Sequence, residues 1–165
     1  MKYYFDTFST PMGEFSVVLD DTGAVVATTF GGEAELRKYF HQGDLVRDPQ
    51  LAVEARRQVT EFFAKRRRRF TLKLAPHGTA FQKRVWSALE QIPFGETRSY
   101  GQIAAAVGSP GAARAVGRAN AANPICLLVP CHRVIGADGS LTGFALGEEL
   151  KRQLLAHEGA QIHLC

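Results

Sequence analysis

The stretch SYGQIAAAVGSPGAARAVGRANAA, residues 99–122, decides how the second half of this 165-residue chain folds. Ser99 is a residue type that caps helices, and the apolar spacing that follows it predicts a helix over 99–107. The break Gly108-Ser109-Pro110 ends that helix, and a second helix is predicted over 111–122. Two short helices across a tight turn that contains glycine are typical of a helix-turn-helix. The pattern is weak by itself, because any two helices with a short connection look similar.

The second of these helices consists almost entirely of small residues, together with Arg114 and Arg118. Small side chains let a backbone approach closely, and two uses of that property are open. One is tight packing against another helix, and the other is insertion into a DNA groove, where arginine reaches phosphates or the base stack. Reading bases in the major groove needs several long polar side chains, which this helix lacks. If it binds DNA, we expect little sequence preference.

The first half of the chain predicts a small sheet packed with helices. Short β-branched and aromatic stretches predict strands, and later stretches with helical spacing predict helices. The strands are expected at 2–8, 14–19, 24–30 and 70–74, and the helices at 33–41 and 49–65. The predicted fold class is therefore α+β, with a small N-terminal domain that holds an antiparallel sheet, residues 1–76. The Pro and Gly of residues 75–78 predict a linker, and a mostly helical C-terminal domain, residues 77–165, follows it. Its first helix is predicted from Thr79, as the cap, to Leu89.

Composition limits the class of protein. At 45% hydrophobic and 22% charged residues, the chain is typical of a soluble globular protein. Its apolar runs are too short to span a bilayer, and its N-terminus lacks the organisation of a signal peptide, so we expect no membrane partner and a cytoplasmic location. The three cysteines, an odd number, are expected to be free thiols in a reducing compartment.

A formal net charge of +4 and a pI near 9.1 suit a polyanionic partner, although many proteins of this charge never touch nucleic acid. The most obvious basic run is KRRRR, residues 65–69. Its place at the end of a predicted helix favours a solvated helix tip that complements the helix dipole. Whether Arg66–Arg69 also hold DNA is left open by the sequence.

The candidate chemical centre is the segment NPICLLVPCHRV, residues 123–134. Its apolar residues predict a buried extended segment that ends at Pro130 and presents Cys131 and His132 side by side. A thiol is a strong nucleophile as the thiolate, and His132 is the obvious base for it. Because adjacent side chains on an extended backbone point to opposite sides, a bridging water is the easier geometry. Glu158 is the candidate carboxylate for the second ring nitrogen of His132.

Two other readings of the cysteines compete with this one. Cys131 can be a buried structural cysteine, as Cys126 is expected to be. Cys126 and Cys131 have a spacing just possible for zinc, but no second pair of ligands completes a tetrahedral set, so no metal is predicted. Cys165, at the chain end, is expected to be exposed and incidental.

Seven separated motifs, in order, resemble the O6-alkylguanine-DNA alkyltransferases. The resemblance covers residues 79–159, with a matching size and layout for the N-terminal domain, and it includes a winged helix-turn-helix. The motifs are FQKRVW (81–86), IPFGET (92–97), SYGQIA (99–104), AARAVG (112–117), NP (123–124), PCHRV (130–134) and HEG (157–159).

The resemblance implies that the small-residue helix enters the DNA minor groove while the damaged base is flipped out. Arg114 would fill the vacated stack, Tyr100 would contact the base, and Asn123 would support the turn that holds Cys131. The remaining implied DNA contacts are Ala112, Ala113, Ala115, Gly117 and Arg118, and the implied pocket around the base consists of Val134, Phe144 and Ala145. The implied partner is double-stranded DNA containing alkylated guanine, and a monomer without a cofactor is expected.

The chemistry implied is displacement at the alkyl carbon of O6-alkylguanine, and of O4-alkylthymine as well. Glu158 orients His132, His132 takes the thiol proton through water, and the Cys131 thiolate attacks. Because a thioether is a very poor leaving group, the acceptor is used once. The class implied is a single-turnover methylated-DNA–[protein]-cysteine S-methyltransferase that acts in DNA repair.

The sequence departs from the family's pattern at two points and leaves rival functions open. Some relatives carry structural zinc in the N-terminal domain, but this chain has no cysteine before Cys126. The bulk of Phe144 and Leu146 leaves the accepted alkyl size open. The rivals are a module that binds alkyl lesions without transfer, a thiol hydrolase with multiple turnovers, and a transcriptional regulator.

Overall fold

The computed structural model describes residues 1–141 and 144–160, and the chain divides into two compact units, Met1–His77 and Gly78–Cys165. Cys165, and Thr142 and Gly143 just before Phe144 of the implied pocket, lie outside the described residues. None of the described helices is both long and apolar enough to cross a membrane.

The N-terminal unit is built on a four-stranded sheet with the order β3-β2-β1-β4. Strands β1, β2 and β3 pair antiparallel, as predicted, while β4 pairs parallel with β1. The turn before β3 is held by Asp20, whose carboxylate accepts hydrogen bonds from the backbone N–H groups of Thr22 and Ala24. The elements are β1 (Lys2–Thr10), β2 (Gly13–Leu19), β3 (Val25–Phe30), α1 (Glu33–Tyr39), β4 (Asp44–Arg47) and α2 (Val53–Phe63).

Aromatic and β-branched side chains form the core of this unit. Tyr3 and Phe5 of β1 pack with Leu36 of α1 and with Phe40, whose ring meets the Tyr3 ring edge to face at 5.0 Å. Helix α2 buries Val59 and Phe62, as its helical spacing predicts. Helix α1 and the sheet therefore share an apolar cluster, and α2 buries one apolar face.

Two sequence predictions for this unit are wrong. Strand β4 was not predicted, because four residues are too few to show an alternating pattern and most of them are exposed. The predicted strand 70–74 forms only a bridge between Leu74 and Val25. The reason is that Gln58 of α2 accepts a hydrogen bond from the Thr71 N–H at 2.9 Å, so this backbone group is taken by a helix side chain instead of a strand.

The C-terminal unit is mostly helical. Its elements are α3 (Ala80–Glu90), β5 (Arg98–Ser99), α4 (Tyr100–Ala106), α5 (Ala113–Ala121), a 3-10 turn (Cys131–Arg133), β6 (Val134–Ile135) and α6 (Glu148–His157). Thr79 and Ser99 cap α3 and α4, as predicted, and each forms a reciprocal capping box with a glutamine three residues later. Helices α4 and α5 lie within two residues of their predicted bounds.

The pair α4 and α5 is fixed to α3 by apolar burial and one long-range hydrogen bond. Trp86 donates from its indole Nε1 to the Ala119 carbonyl at 2.8 Å. Leu89, Ile103 and Val116, one from each helix, are all buried. This arrangement holds α5 by one face and leaves its Arg114 and Arg118 side chains exposed.

The prediction of an extended segment over 123–134 is wrong. Residues 125–129 form a tight turn in which Leu127 has a φ of 72°, and residues 131–133 form the 3-10 turn. Asn123 explains the difference, because its side chain accepts from the Ile125 N–H and donates to the Val129 carbonyl, both at 3.0 Å. The apolar residues of this segment are buried in a turn, not in a strand.

The capping box at Thr79 gives a testable stability prediction. Replacing Thr79 by Ala removes the acceptor for the Gln82 N–H, and the free energy of unfolding should fall by about 1 kcal/mol. Denaturant unfolding followed by Trp86, the single tryptophan and a buried one, measures this change. Thr79→Ser is the matched control, because it keeps the hydroxyl. An equal loss in both variants would contradict the capping role.

Candidate active site

Cys131 is the first residue of the 3-10 turn, and its side chain is buried. Its backbone is held on both sides, since the Cys131 N–H donates to the Val129 carbonyl at 2.8 Å and the Cys131 carbonyl accepts from the Asn120 amide at 3.2 Å. Asn120 lies on α5, so the small-residue helix directly supports the thiol-bearing turn. Together with Asn123, it fixes the backbone of Cys131.

His132 is fully buried, and its two ring nitrogens have different surroundings. Nε2 lies 2.8 Å from Oε2 of Glu158, which is the C-cap residue of α6. Nδ1 is buried without a hydrogen-bond partner among the described residues. Because an ionised carboxylate can only accept, Nε2 must carry the proton. A neutral His132 therefore has its lone pair on Nδ1, ready to accept a proton.

Arg133, which the sequence analysis did not single out, shares the same carboxylate. Its Nε and Nη2 donate to Oε1 and Oε2 of Glu158, each at 2.8 Å, and its Nη1 donates to the Ile92 carbonyl at 2.7 Å. The Gly95 N–H adds a longer contact to Oε1 at 3.4 Å. Glu158 thus joins the 3-10 turn, α6 and the loop after α3.

These contacts set the protonation states of Glu158 and His132. Burial raises the pKa of Glu158, but hydrogen bonds from His132 and Arg133 outweigh it and lower that pKa to about 2. Burial lowers the pKa of His132, against the opposite effect of the Glu158 hydrogen bond and charge. At neutral pH the carboxylate is ionised and the imidazole is neutral.

The thiol of Cys131 is protonated in this environment. Burial raises its pKa, and the hydrogen bond to Asn123 and the charge of Lys151 offset only part of that effect. A buried neutral thiol is a weak nucleophile, so attack requires a base that removes its proton. His132, the next residue in the chain, has a buried Nδ1 that lacks a hydrogen-bond partner among the described residues and can accept a proton.

Lys151 of α6 is another site residue that no sequence motif marks. It is fully buried, donates to the Val134 carbonyl, and lies 6.0 Å from the Tyr100 ring centroid and 5.7 Å from that of Phe144. Burial lowers its pKa to about 8. Burial and the nearby Cys131 raise the pKa of Tyr100. These contacts bring Tyr100, Phe144 and Val134 around one cation.

Helix α5 presents its expected DNA face outward. Arg114 and Arg118, one turn apart, are exposed, and the small residues between and before them are half-buried, namely Ala112, Ala113, Ala115 and Gly117. A Cβ added to Gly117 would stand 3.8 Å from the Tyr100 ring, so this helix lies against Tyr100. Ala145 is exposed beside the buried Phe144. Tyr100 therefore lies next to the helix that carries Arg114 and Arg118.

The two missed residues differ in the signal that the sequence offers. Arg133 lies within the PCHRV motif, directly after His132, with which it shares the Glu158 carboxylate. Lys151 precedes Glu158 by seven residues, which is two helical turns and places both on one face of α6. Nothing in the local sequence marks either as buried. Among the described residues, no group of three or more His, Cys, Asp or Glu side chains is arranged to hold a metal ion.

The low pKa of Glu158 predicts a specific acid sensitivity. Its folded-state pKa, about 2, lies below the ordinary 4.5, so its stabilisation is complete above pH 4.5 and is lost as pH falls from 4.5 towards 2. The shift corresponds to about 3 kcal/mol. Glu158→Gln should therefore destabilise the protein at pH 7, and its difference from wild type in unfolding free energy should shrink below pH 4.5.

Glu149→Gln is the control, because Glu149 is an exposed partner of Arg152 on the same helix. It should change the unfolding free energy little at any pH. If the unfolding free energies of Glu158→Gln and the wild type differ by the same amount from pH 7 to pH 3, the low pKa of Glu158 is contradicted.

Comparison with known proteins gives one consistent family. Residues 80–160 match the family model described as "6-O-methylguanine DNA methyltransferase, DNA binding domain". The chain is 45% identical over 157 residues to the methylated-DNA–protein-cysteine methyltransferase of Methanosarcina acetivorans, covering 95% of this chain and 99% of that protein. It is 44% identical to the constitutive methyltransferase of Bacillus subtilis, covering 92% of this chain and 93% of that protein.

The fold agrees with these matches. A crystal structure of Mycobacterium tuberculosis OGT in complex with DNA superimposes with a TM-score of 0.85 at 41% identity, covering 96% of this chain and 93% of that one. The α+β fold class and the family indicated by the seven motifs are thereby confirmed. The chain belongs to the methylated-DNA–protein-cysteine methyltransferase family.

Proposed function

We propose that this protein repairs DNA by moving the alkyl group of O6-alkylguanine, and of O4-alkylthymine, onto Cys131. The reaction uses double-stranded DNA, occurs once per protein molecule, needs no cofactor and takes place in the cytoplasm. The C-terminal unit, residues 78–165, is the DNA-binding and acceptor domain. The observation that carries the proposal is the buried chain Cys131, His132 and Glu158, in which the imidazole has a free acceptor nitrogen.

The reaction is a displacement at the alkyl carbon. His132 Nδ1 takes the proton of Cys131 through a water molecule, and Sγ attacks the carbon in line with the C–O6 bond. The Sγ–C bond forms as the C–O6 bond breaks, and the electron pair of the C–O6 bond stays on O6 of the leaving guanine. The leaving guanine takes up one proton, and His132 releases to solvent the one that it took from the thiol, so atoms and charge balance. Glu158 keeps the imidazole oriented and its Nε2 protonated.

Access to the lesion requires that the base leave the helix. Helix α5 lies in the minor groove, where its small residues permit close approach and its exposed arginines meet the DNA. Arg114 fills the space vacated in the stack, and Arg118 contacts the backbone. Flipping costs a few kcal/mol, and a weakly paired alkylated base lowers that cost.

The flipped base lies among Tyr100, Val134, Phe144 and Ala145. Tyr100 has a burial-raised pKa, so it stays protonated and donates a hydrogen bond to the base, which helps the purine leave as a neutral species. Main-chain groups of Val134 and Ala145 line the pocket, and Phe144 forms its apolar wall.

The acceptor role of Cys131 is tested by mass spectrometry. Incubation with duplex DNA containing O6-methylguanine should add one methyl group to the peptide that holds Cys131 and restore guanine. Cys131→Ala should abolish transfer while binding to the same DNA persists. Cys126→Ala, which removes the other described thiol, should still transfer. An unmodified Cys131 beside an intact lesion would favour a lesion-binding module instead.

The role of Arg114 predicts a dependence on DNA structure. Arg114→Ala should slow single-turnover transfer from duplex DNA by about tenfold or more, which corresponds to about 1.4 kcal/mol. Transfer from a single-stranded substrate should slow much less, because there is no stack to fill.

Arg118→Ala is the matched control, since Arg118 lies one turn along the same exposed face. It should weaken binding and reduce its salt dependence, with a smaller effect on the transfer step. Equal slowing of transfer from duplex and single-stranded DNA by Arg114→Ala would contradict a stack-filling role.

A further inference from the structure

Arg133 is a buried charge whose ion pair with Glu158 stabilises the folded state, but stability alone does not explain why a charged residue stands here. Only 6% of the residue is exposed, and its guanidinium makes three hydrogen bonds of 2.7 to 2.8 Å to Glu158 and to the Ile92 carbonyl. Replacing a buried ion pair with apolar residues is often neutral or stabilising, because both charges must be removed from water. Because burying this charge costs free energy, we look for its role in the function of the site.

That role concerns the protonation state of His132, which the neighbouring carboxylate changes. A carboxylate beside a histidine favours the imidazolium form, and an imidazolium has no lone pair with which to accept a proton. Glu158 alone would therefore orient His132 and at the same time tend to make it useless as a base. A cation on the far side of the carboxylate offsets this tendency and leaves the orienting hydrogen bond intact.

We propose that Arg133 is a positioning residue which, by binding both oxygens of Glu158, keeps His132 neutral and able to accept the Cys131 proton. This inference rests on the proposed function, since it concerns the base in the same transfer. In this role Arg133 contacts neither the flipped nucleobase nor the reacting atoms, and it acts on His132 through Glu158.

The other groups around His132 are consistent with this role. Glu158 raises the pKa of His132, while burial, the charge of Arg133 and the charge of Lys151 lower it. Cys131 is its titratable neighbour in the chain. Helix α3 packs against the 3-10 turn, and its buried side chains, Val85, Trp86 and Leu89, are apolar while its charged residues are exposed. Helix α5 contacts the turn through the neutral Asn120, which binds the Cys131 carbonyl. Arg133 is the cation that directly contacts the shared carboxylate.

The test compares Arg133→Met with Arg133→Lys by two measurements on the full chain. The first is the pKa and tautomer of His132 from ring-nitrogen NMR shifts, and the second is the single-turnover transfer rate as a function of pH. In Arg133→Met the pKa of His132 should rise by about 1 unit or more, and the acid limb of the rate profile should move up with it. Arg133→Lys keeps the positive charge, and both values should stay close to those of the wild type.

A double variant separates the charge effect from damage to the fold. In Arg133→Met combined with Glu158→Gln, His132 faces neither charge, and its pKa should return below the ordinary 6.5. If Arg133 has a merely structural role, transfer slows at every pH and the pKa of His132 does not move. That result, in a folded Arg133→Met protein, would overturn the proposal.

The wild-type protein provides a measurement that needs no variant. At pH 7 its His132 should be neutral, with the proton on Nε2 and none on Nδ1, and an imidazolium there would overturn the proposal even if Arg133→Met does not fold. Failure of the proposed function is distinguishable, because the wild-type protein would then leave Cys131 unmethylated whatever the state of His132.

Discussion

The carboxylate of Glu158 is the interaction on which the site depends. It accepts hydrogen bonds from His132 and Arg133 of the 3-10 turn and a longer contact from Gly95 in the loop after α3. Since Glu158 is the C-cap of α6, the His132 ring is oriented only when the last helix is docked on the thiol-bearing turn. A fold that loses this contact keeps Cys131 but no longer fixes the orientation of His132.

The DNA-facing helix and the acceptor turn are mechanically joined. Asn120 of α5 holds the carbonyl of Cys131, and Asn123 closes the turn just before it. Trp86 ties the same helix to α3. The helix that we propose enters the DNA groove is therefore the helix that sets the backbone of the nucleophile, so docking on DNA and positioning of the thiol depend on the same few hydrogen bonds.

The sequence predicts local features well and long-range ones poorly. Ser99 and Thr79 cap the helices that follow them, as predicted, because capping depends only on residues that are close in the chain. The turn at 125–129 was mistaken for a strand, because burial makes both apolar and only the side-chain bonds of Asn123 distinguish them. The roles of Arg133 and Lys151 were missed, because long charged side chains are usually exposed and their partners lie 25 and 17 residues away in the chain.

A buried neutral thiol beside a neutral imidazole stays unreactive until a substrate occupies the site, and the thioether that then forms has no route back to the thiol. The central claim is thus that Cys131 is an acceptor used once. The most direct measurement is the amount of guanine restored when O6-methylguanine DNA is present in large excess over the protein. The account predicts a plateau at one guanine per protein molecule, and continued repair beyond that plateau would contradict it.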